Sequence, residues 1–207
     1  MVATDNCKKY FIIIFYSIII LLSFNLRSLS NADEISDYEI EGITLYDSAL
    51  KHYSINELKK DVINNYTSDK YSTSAIWQDL NEYDYLQLSF KSDDTKYIIQ
   101  DISGTKNMTY NKCLNKLGQI ENEISSLYEN NSNIKNEGKV SYNHPADRSG
   151  NSKVTDVAWV FKNGDLIVIQ CYNWQTEYGK KNNFRDSLKI AISNKDIDRW
   201  FSYEAYN

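Results

Sequence analysis

Proline occurs once in these 207 residues, arginine four times, histidine twice and cysteine three times. Two histidines and three cysteines leave little from which to build a transition-metal site. Basic side chains number 23 against 28 acidic ones, a net charge of -5, and the pI is about 5.1. Nucleic-acid binding is disfavoured, because a phosphate backbone needs a basic face. Only one apolar stretch approaches membrane-spanning length, which excludes a multi-pass membrane protein. Also missing are the G-x-S-x-G elbow, the P-loop, the dinucleotide glycine pattern, the calcium loop and the H-E-x-x-H pair. No cofactor is therefore implied, and the balance tilts away from an enzyme. What is present is a chain 42% hydrophobic and 14% aromatic, enough for one ordinary domain with a core and too apolar for a disordered protein. The abundant Ile, Asn, Lys and Tyr share A/T-rich codons, so their frequency is no functional signature.

Residues 1–32 divide as an export signal divides. Lys8 and Lys9 form a basic start, residues 10–24 are an apolar run, and Ser30-Asn31-Ala32 offers small residues for cleavage near Ala32. The alternative is an uncleaved N-terminal membrane anchor. Fifteen apolar residues make a helix of about 22 Å, short of the roughly 30 Å hydrocarbon core, which favours cleavage. The expected location is then periplasmic or secreted, with the membrane touched only through the signal. The remaining chain, 33–207, carries a net charge of -7. It keeps Cys113 and Cys171, a pair that an oxidising compartment joins as a disulfide. The rival, a reactive thiol, needs an electropositive exposed setting, whereas both cysteines lie within apolar patterns.

The pattern predicts an α+β fold: an antiparallel sheet built from two hairpins plus an extra strand, with helices packed on one face. A first helix is expected over 47–65, with a Ser54-x-x-Glu57 capping box. A hairpin follows over 84–91 and 96–102, its first arm alternating Leu86, Leu88 and Phe90. The clearest helix spans 110–129, with Cys113, Leu117, Ile120, Ile124 and Leu127 at steps of three and four. A second hairpin, 154–162 and 165–174, turns at Asn163-Gly164, a pair suited to a type I′ turn. Another strand covers 186–193, and Asn194 caps a closing helix with Ile197, Trp200 and Phe201. Phe90-Lys91 to Ile99-Gln100 echoes Phe161-Lys162 to Ile169-Gln170. Either 33–207 is one domain whose hairpins reuse residue types, or it holds two helix–hairpin halves, 33–108 and 109–207.

Chemistry could lie in the polar stretch 130–153, read as a long loop. Its His144, Asp147 and Arg148 could act as general base, orienting carboxylate and anion clamp. The plainer reading is a turn fixed by Pro145, with an Asp147–Arg148 ion pair on a solvated surface. His52 sits alone in the first helix. Trp159, Tyr172 and Trp174 are the binding candidates: exposed, they could stack on a sugar or a partner protein, and buried, they would fill the sheet–helix interface. No residue is a metal candidate.

The run Asp37-Tyr38-Glu39-Ile40-Glu41-Gly42-Ile43-Thr44-Leu45-Tyr46-Asp47-Ser48-Ala49-Leu50 follows shortly after the signal. With Tyr97-Ile98-Ile99, Ile102-Ser103-Gly104, Cys113, Val154-Thr155-Asp156-Val157 and Cys171, it resembles a family of small uncharacterised exported proteins of AT-rich marine alphaproteobacteria. The resemblance covers nearly all of 33–207. It implies export and a bacterial envelope setting, and it carries no activity to transfer. Glu41-Gly42-Ile43 before a helix is also similar to envelope adaptors of the outer-membrane assembly-lipoprotein type, although no lipidation cysteine follows the signal. Two functions remain in view. One is a non-catalytic binding or protein-interaction module of the cell envelope, with an envelope protein or a small ligand as partner. The other is a small periplasmic hydrolase with its site in 130–153.

Overall fold

Leu86, Leu88 and Phe90 fall on one side of a strand because side chains alternate across a pleated backbone, and all three are buried. That strand belongs to an eight-stranded antiparallel sheet in a computed structural model that describes residues 35–63, 66–129 and 131–206. The proposed export signal, 1–32, lies outside the described residues. Among the described residues there are four α-helices: α1 (Ile55–Lys60), α2 (Tyr110–Tyr128), α3 (Thr176–Asn182) and α4 (Lys195–Tyr203). A two-stranded ribbon, β1 (Glu39–Ile40) and β2 (Ile43–Thr44), precedes the large sheet. The large sheet contains β3 (Val62–Ile63), β4 (Tyr71–Ile76), β5 (Tyr85–Lys91), β6 (Asp101–Asn107), β7 (Ile134–Asn143), β8 (Lys153–Phe161), β9 (Leu166–Asn173) and β10 (Ser187–Ser193). Their order across it is β3-β4-β5-β6-β10-β9-β8-β7.

The expected α+β class holds, with a sheet larger than two hairpins and one strand. One face is packed. Leu86 and Leu88, Ile102, the trio Leu188, Ile190 and Ile192, Ile167 and Ile169, and Val157 and Trp159 form a continuous apolar layer. The buried stripe of α2 lies on β8, β9 and β10. A disulfide joins Cys113 of that stripe to Cys171 of β9, with a Cα–Cα distance of 5.7 Å. The stripe ends on Tyr128, with Leu127 42% exposed, since a step of four from Ile124 better matches 3.6 residues per turn. The other helix, α4, crosses one end of the opposite face, where Trp200 meets Tyr71 of β4 at 5.2 Å between ring centroids.

Several expected elements are redrawn. The helix expected over 47–65 breaks into a 3-10 turn, Ala49–Lys51, then α1, then β3. Two separate caps explain the break: Ser48 accepts from the Leu50 N–H, and Ser54 forms the expected box with Glu57. The second arm of the first hairpin is β6, beginning at residue 101 and not 96. Asp94 accepts from the Lys96 and Ile98 N–H groups, Tyr97 adopts a left-handed φ of 52°, and residues 97–99 bond instead to the 46–49 segment. The Asn163-Gly164 hairpin is present without a two-residue I′ turn. Only Gly164 has positive φ, at 91°, while the Asn163 side chain accepts from the Asp165 N–H and so closes a local Asx turn. Residues 130–153 are not one long loop, because β7 pairs along β8 as an edge strand with a bulge between Asn136 and Lys139.

Candidate functional site

The face opposite α2 is built from the other half of each alternation. One row across it reads Ala75, Gln87, Ser103, Ala191, Val168 and Ala158. Four of these six are Ala or Ser, which leave space above the backbone, and the next rows are larger. Tyr85, Thr105, Lys189, Gln170 and Asp156 stand on one side of it. Asp101 and Ser193 stand on the other. The result is a cavity of about 920 Å³ floored by the sheet, with Asp198 and Phe201 of α4 at one end and His144, Trp174 and Phe184 at the mouth.

The mouth is a held structure. His144 accepts at Nδ1 from the Ala146 N–H at 3.1 Å, leaving a neutral imidazole with its proton on Nε2. Its ring lies 4.4 Å from Trp174, which is stacked at 10° on Tyr172 and at 16° on Tyr178. Tyr178 in turn donates to the Ala146 carbonyl at 2.7 Å. Burial, assisted by the Lys189 charge, pushes the His144 pKa down to about 4. The imidazole is thus uncharged across neutral pH.

The floor carries the charge. Burial raises the Asp101 carboxyl, against the pull of Lys189. Its Oδ1 accepts from the Ser193 hydroxyl, and its Oδ2 has no hydrogen-bond partner among the described residues. Burial lowers Lys189 in the same way, with only Asp101 pulling it back. Among the described residues, no carboxylate lies within ion-pair distance of Lys189 and its ammonium makes no hydrogen bond. Asp156 accepts from the Tyr142 hydroxyl at 2.9 Å and from Gln170 at 3.4 Å, and Tyr172 donates to Gln170 at 2.8 Å. Burial and the charges of Asp101 and Asp156 raise Asp198 to about 6.

The candidates named from sequence are distributed unevenly. Tyr172, Trp174 and His144 line the cavity. Trp159 is buried on the packed face, with its Nε1 unpartnered among the described residues. Asp147 does not orient His144: its carboxylate accepts from the Ser149 N–H and from the Ser152 N–H and hydroxyl. These bonds, the Ser152 hydroxyl first, hold Asp147 at about 2 and fix the 144–152 turn. Arg148 is exposed on that turn, with no ion pair to Asp147 among the described residues. Asp101, Asp156, Gln170, Lys189 and Asp198 also line the cavity, though no motif marks them in the sequence. One signal was available: Lys189 stands in SLKIAIS and Asp156 in VTDVAWV, each a charge inside a strand otherwise apolar or small. No group of three or more His, Cys, Asp or Glu among the described residues could hold a metal ion. Comparison of the chain with family models, curated proteins and solved structures finds no match.

Proposed function

We propose that the protein is a non-catalytic binding module of the cell envelope, exported to the periplasm or secreted, that takes a small organic ligand in the cavity on the open sheet face. The observation that carries this reading is the polar floor. A sheet face meant only to meet water has no need of a roof, and one meant for packing would not hold Lys189 and the Asp101 Oδ2 without partners. A ligand entering the cavity supplies those partners, while the stacked Tyr172 and Trp174 offer a flat wall to its body. The hydrolase reading has less behind it, because Asp147 is engaged with Ser149 and Ser152.

Ligand-observed NMR against a defined library of small sugars, aromatic alcohols and amines tests the reading. Binders should appear, and they should be lost when Ala191→Phe or Ala158→Phe fills the hollow row while circular dichroism shows the fold kept. Absence of any binder, or binders indifferent to both substitutions, would overturn it. Trp174 fluorescence gives a second readout on the same samples.

A further inference from the structure

Hydrogen-bonding capacity of both signs is left open on the cavity floor. Lys189 of β10 is half-buried and lines the cavity, and its ammonium has neither ion pair nor hydrogen bond among the described residues. In the same row, one strand beyond Gln170, Asp156 takes the Tyr142 and Gln170 bonds at Oδ2. No described residue bonds its Oδ1. On the other side of Lys189 the Thr105 hydroxyl has no partner among the described residues, and across the hollow row neither has the Asp101 Oδ2. Both residues are 2% exposed and line the cavity. They stand four positions apart on β6, about 13 Å of extended chain.

These groups differ in charge, so a single ion does not suit them. A cation over the middle of the floor meets Lys189, and an anion meets Asp101, Asp156 and Asp198. A hydroxyl suits both kinds, because its oxygen accepts from the ammonium and its O–H donates to a carboxylate. Reaching β8 and β10 together takes several hydroxyls on one small frame. That frame must also be apolar on its faces. The small Ala191 and Ala158 lie beneath it, Tyr172 and Trp174 are parallel to within 10° at the mouth, and Trp77, 57% exposed, lies 4.6 Å from Tyr85 on the β5 side. A ring with hydroxyls at its edge and C–H groups on its face meets both demands.

We propose that the cavity takes a neutral sugar, with hydroxyls bonded to Lys189 and Asp156 and its C–H face laid on the aromatic wall. This rests on the binding reading above and names its ligand class. Tyr142 and Gln170 hold the Asp156 carboxylate, and Tyr172 holds Gln170, so the acceptor is fixed before the sugar arrives.

Titration calorimetry on the intact protein tests this with glucose, galactose, mannose, maltose, cellobiose and trehalose. Glucosamine and glucuronate serve as cationic and anionic analogues, and benzyl alcohol and benzylamine as ligands without a sugar's hydroxyls. At least one neutral sugar should bind with a Kd of about 1 mM or below. Glucosamine and glucuronate should bind at least about tenfold more weakly than the best neutral sugar, since each brings a charge that part of the floor opposes. Lys189→Met should weaken that sugar at least about tenfold, and Lys189→Gln, which keeps N–H donors, should weaken it less, with circular dichroism showing the fold kept. Tighter binding of glucosamine or glucuronate than of every neutral sugar, or a neutral sugar indifferent to Lys189→Met, would overturn the inference. If benzyl alcohol or benzylamine binds in an Ala191→Phe-sensitive way and no neutral sugar binds, the sugar is wrong and the cavity reading stands. If none of these probes binds, both fall.

Discussion

The two faces of the eight-stranded sheet share the same backbone and differ in every side chain. Toward α2, strand β10 presents Leu188, Ile190 and Ile192; away from it, the same strand presents Lys189, Ala191 and Ser193. The packed face is closed by a helix and a disulfide. Across one end of the hollow face, among the described residues, lies α4. The contrast teaches that the division between packed core and polar hollow runs through each strand, residue by residue, and not between separate parts of the chain.

Substitutions and conditions that act on one face alone can break that division. The largest effect expected is from reduction of Cys113–Cys171, which closes a 58-residue separation. It should lower unfolding free energy by on the order of 4 kcal/mol in the chain-entropy account, seen as a fall in the urea midpoint. Next, Leu88→Ala on the packed face should cost about 3 kcal/mol, through lost burial and the cavity left behind. Its neighbour Gln87→Ala, facing the hollow, should cost under about 1 kcal/mol. Equal costs at positions 87 and 88 in urea titrations would erase the distinction.

Acid titration separates two groups within the hollow face. His144 is depressed to about 4 in the fold and lies at about 6.5 unfolded. The unfolded chain therefore binds its proton more readily, and stability is lost as pH falls from 6.5 toward 4. Burial and neighbouring carboxylates raise Asp198 from its ordinary value of 3.8 to about 6, so stability is lost as pH rises from 3.8 through 6. The two slopes oppose each other between pH 4 and 6, each worth roughly 2 kcal/mol. His144→Asn should expose the Asp198 slope, and Asp198→Asn the His144 slope, in melting temperatures recorded from pH 4 to 7. Gly104→Ala should destabilise by roughly 1–2 kcal/mol, because its Cβ would come within 2.5 Å of the Tyr83 ring and that ring must shift.

Much of the fold was legible in the sequence. Helix α2, the β8–β9 hairpin, β10 and the Asn194-capped α4 all carry apolar residues at the period of their structure, and the structure places them close to the expected limits. Strand β4 was not legible, because Ser72 and Ser74 occupy its packed side and break the apolar alternation. Edge strand β7 buries only Ile134, so it reads as a polar loop. The cavity was hidden for a different reason. Lys189, Asp156 and Gln170 occupy the polar half of an alternation, which by itself denotes water. Only the curvature and neighbours supplied by distant strands turn that half into an enclosure. The aromatic trio shows the same limit. Tyr172 and Trp174 reach the cavity and Trp159 the core, as odd and even positions on adjoining strands require once the register is set.

Strand β10 is the last of the sheet in chain order, yet it lies between β6 and β9 and not at a border. Taken out of that order, it would leave two separate sets, β3 to β6 and β7 to β9. The cavity floor is thus continuous only because one late strand bridges two sets that precede it in the sequence.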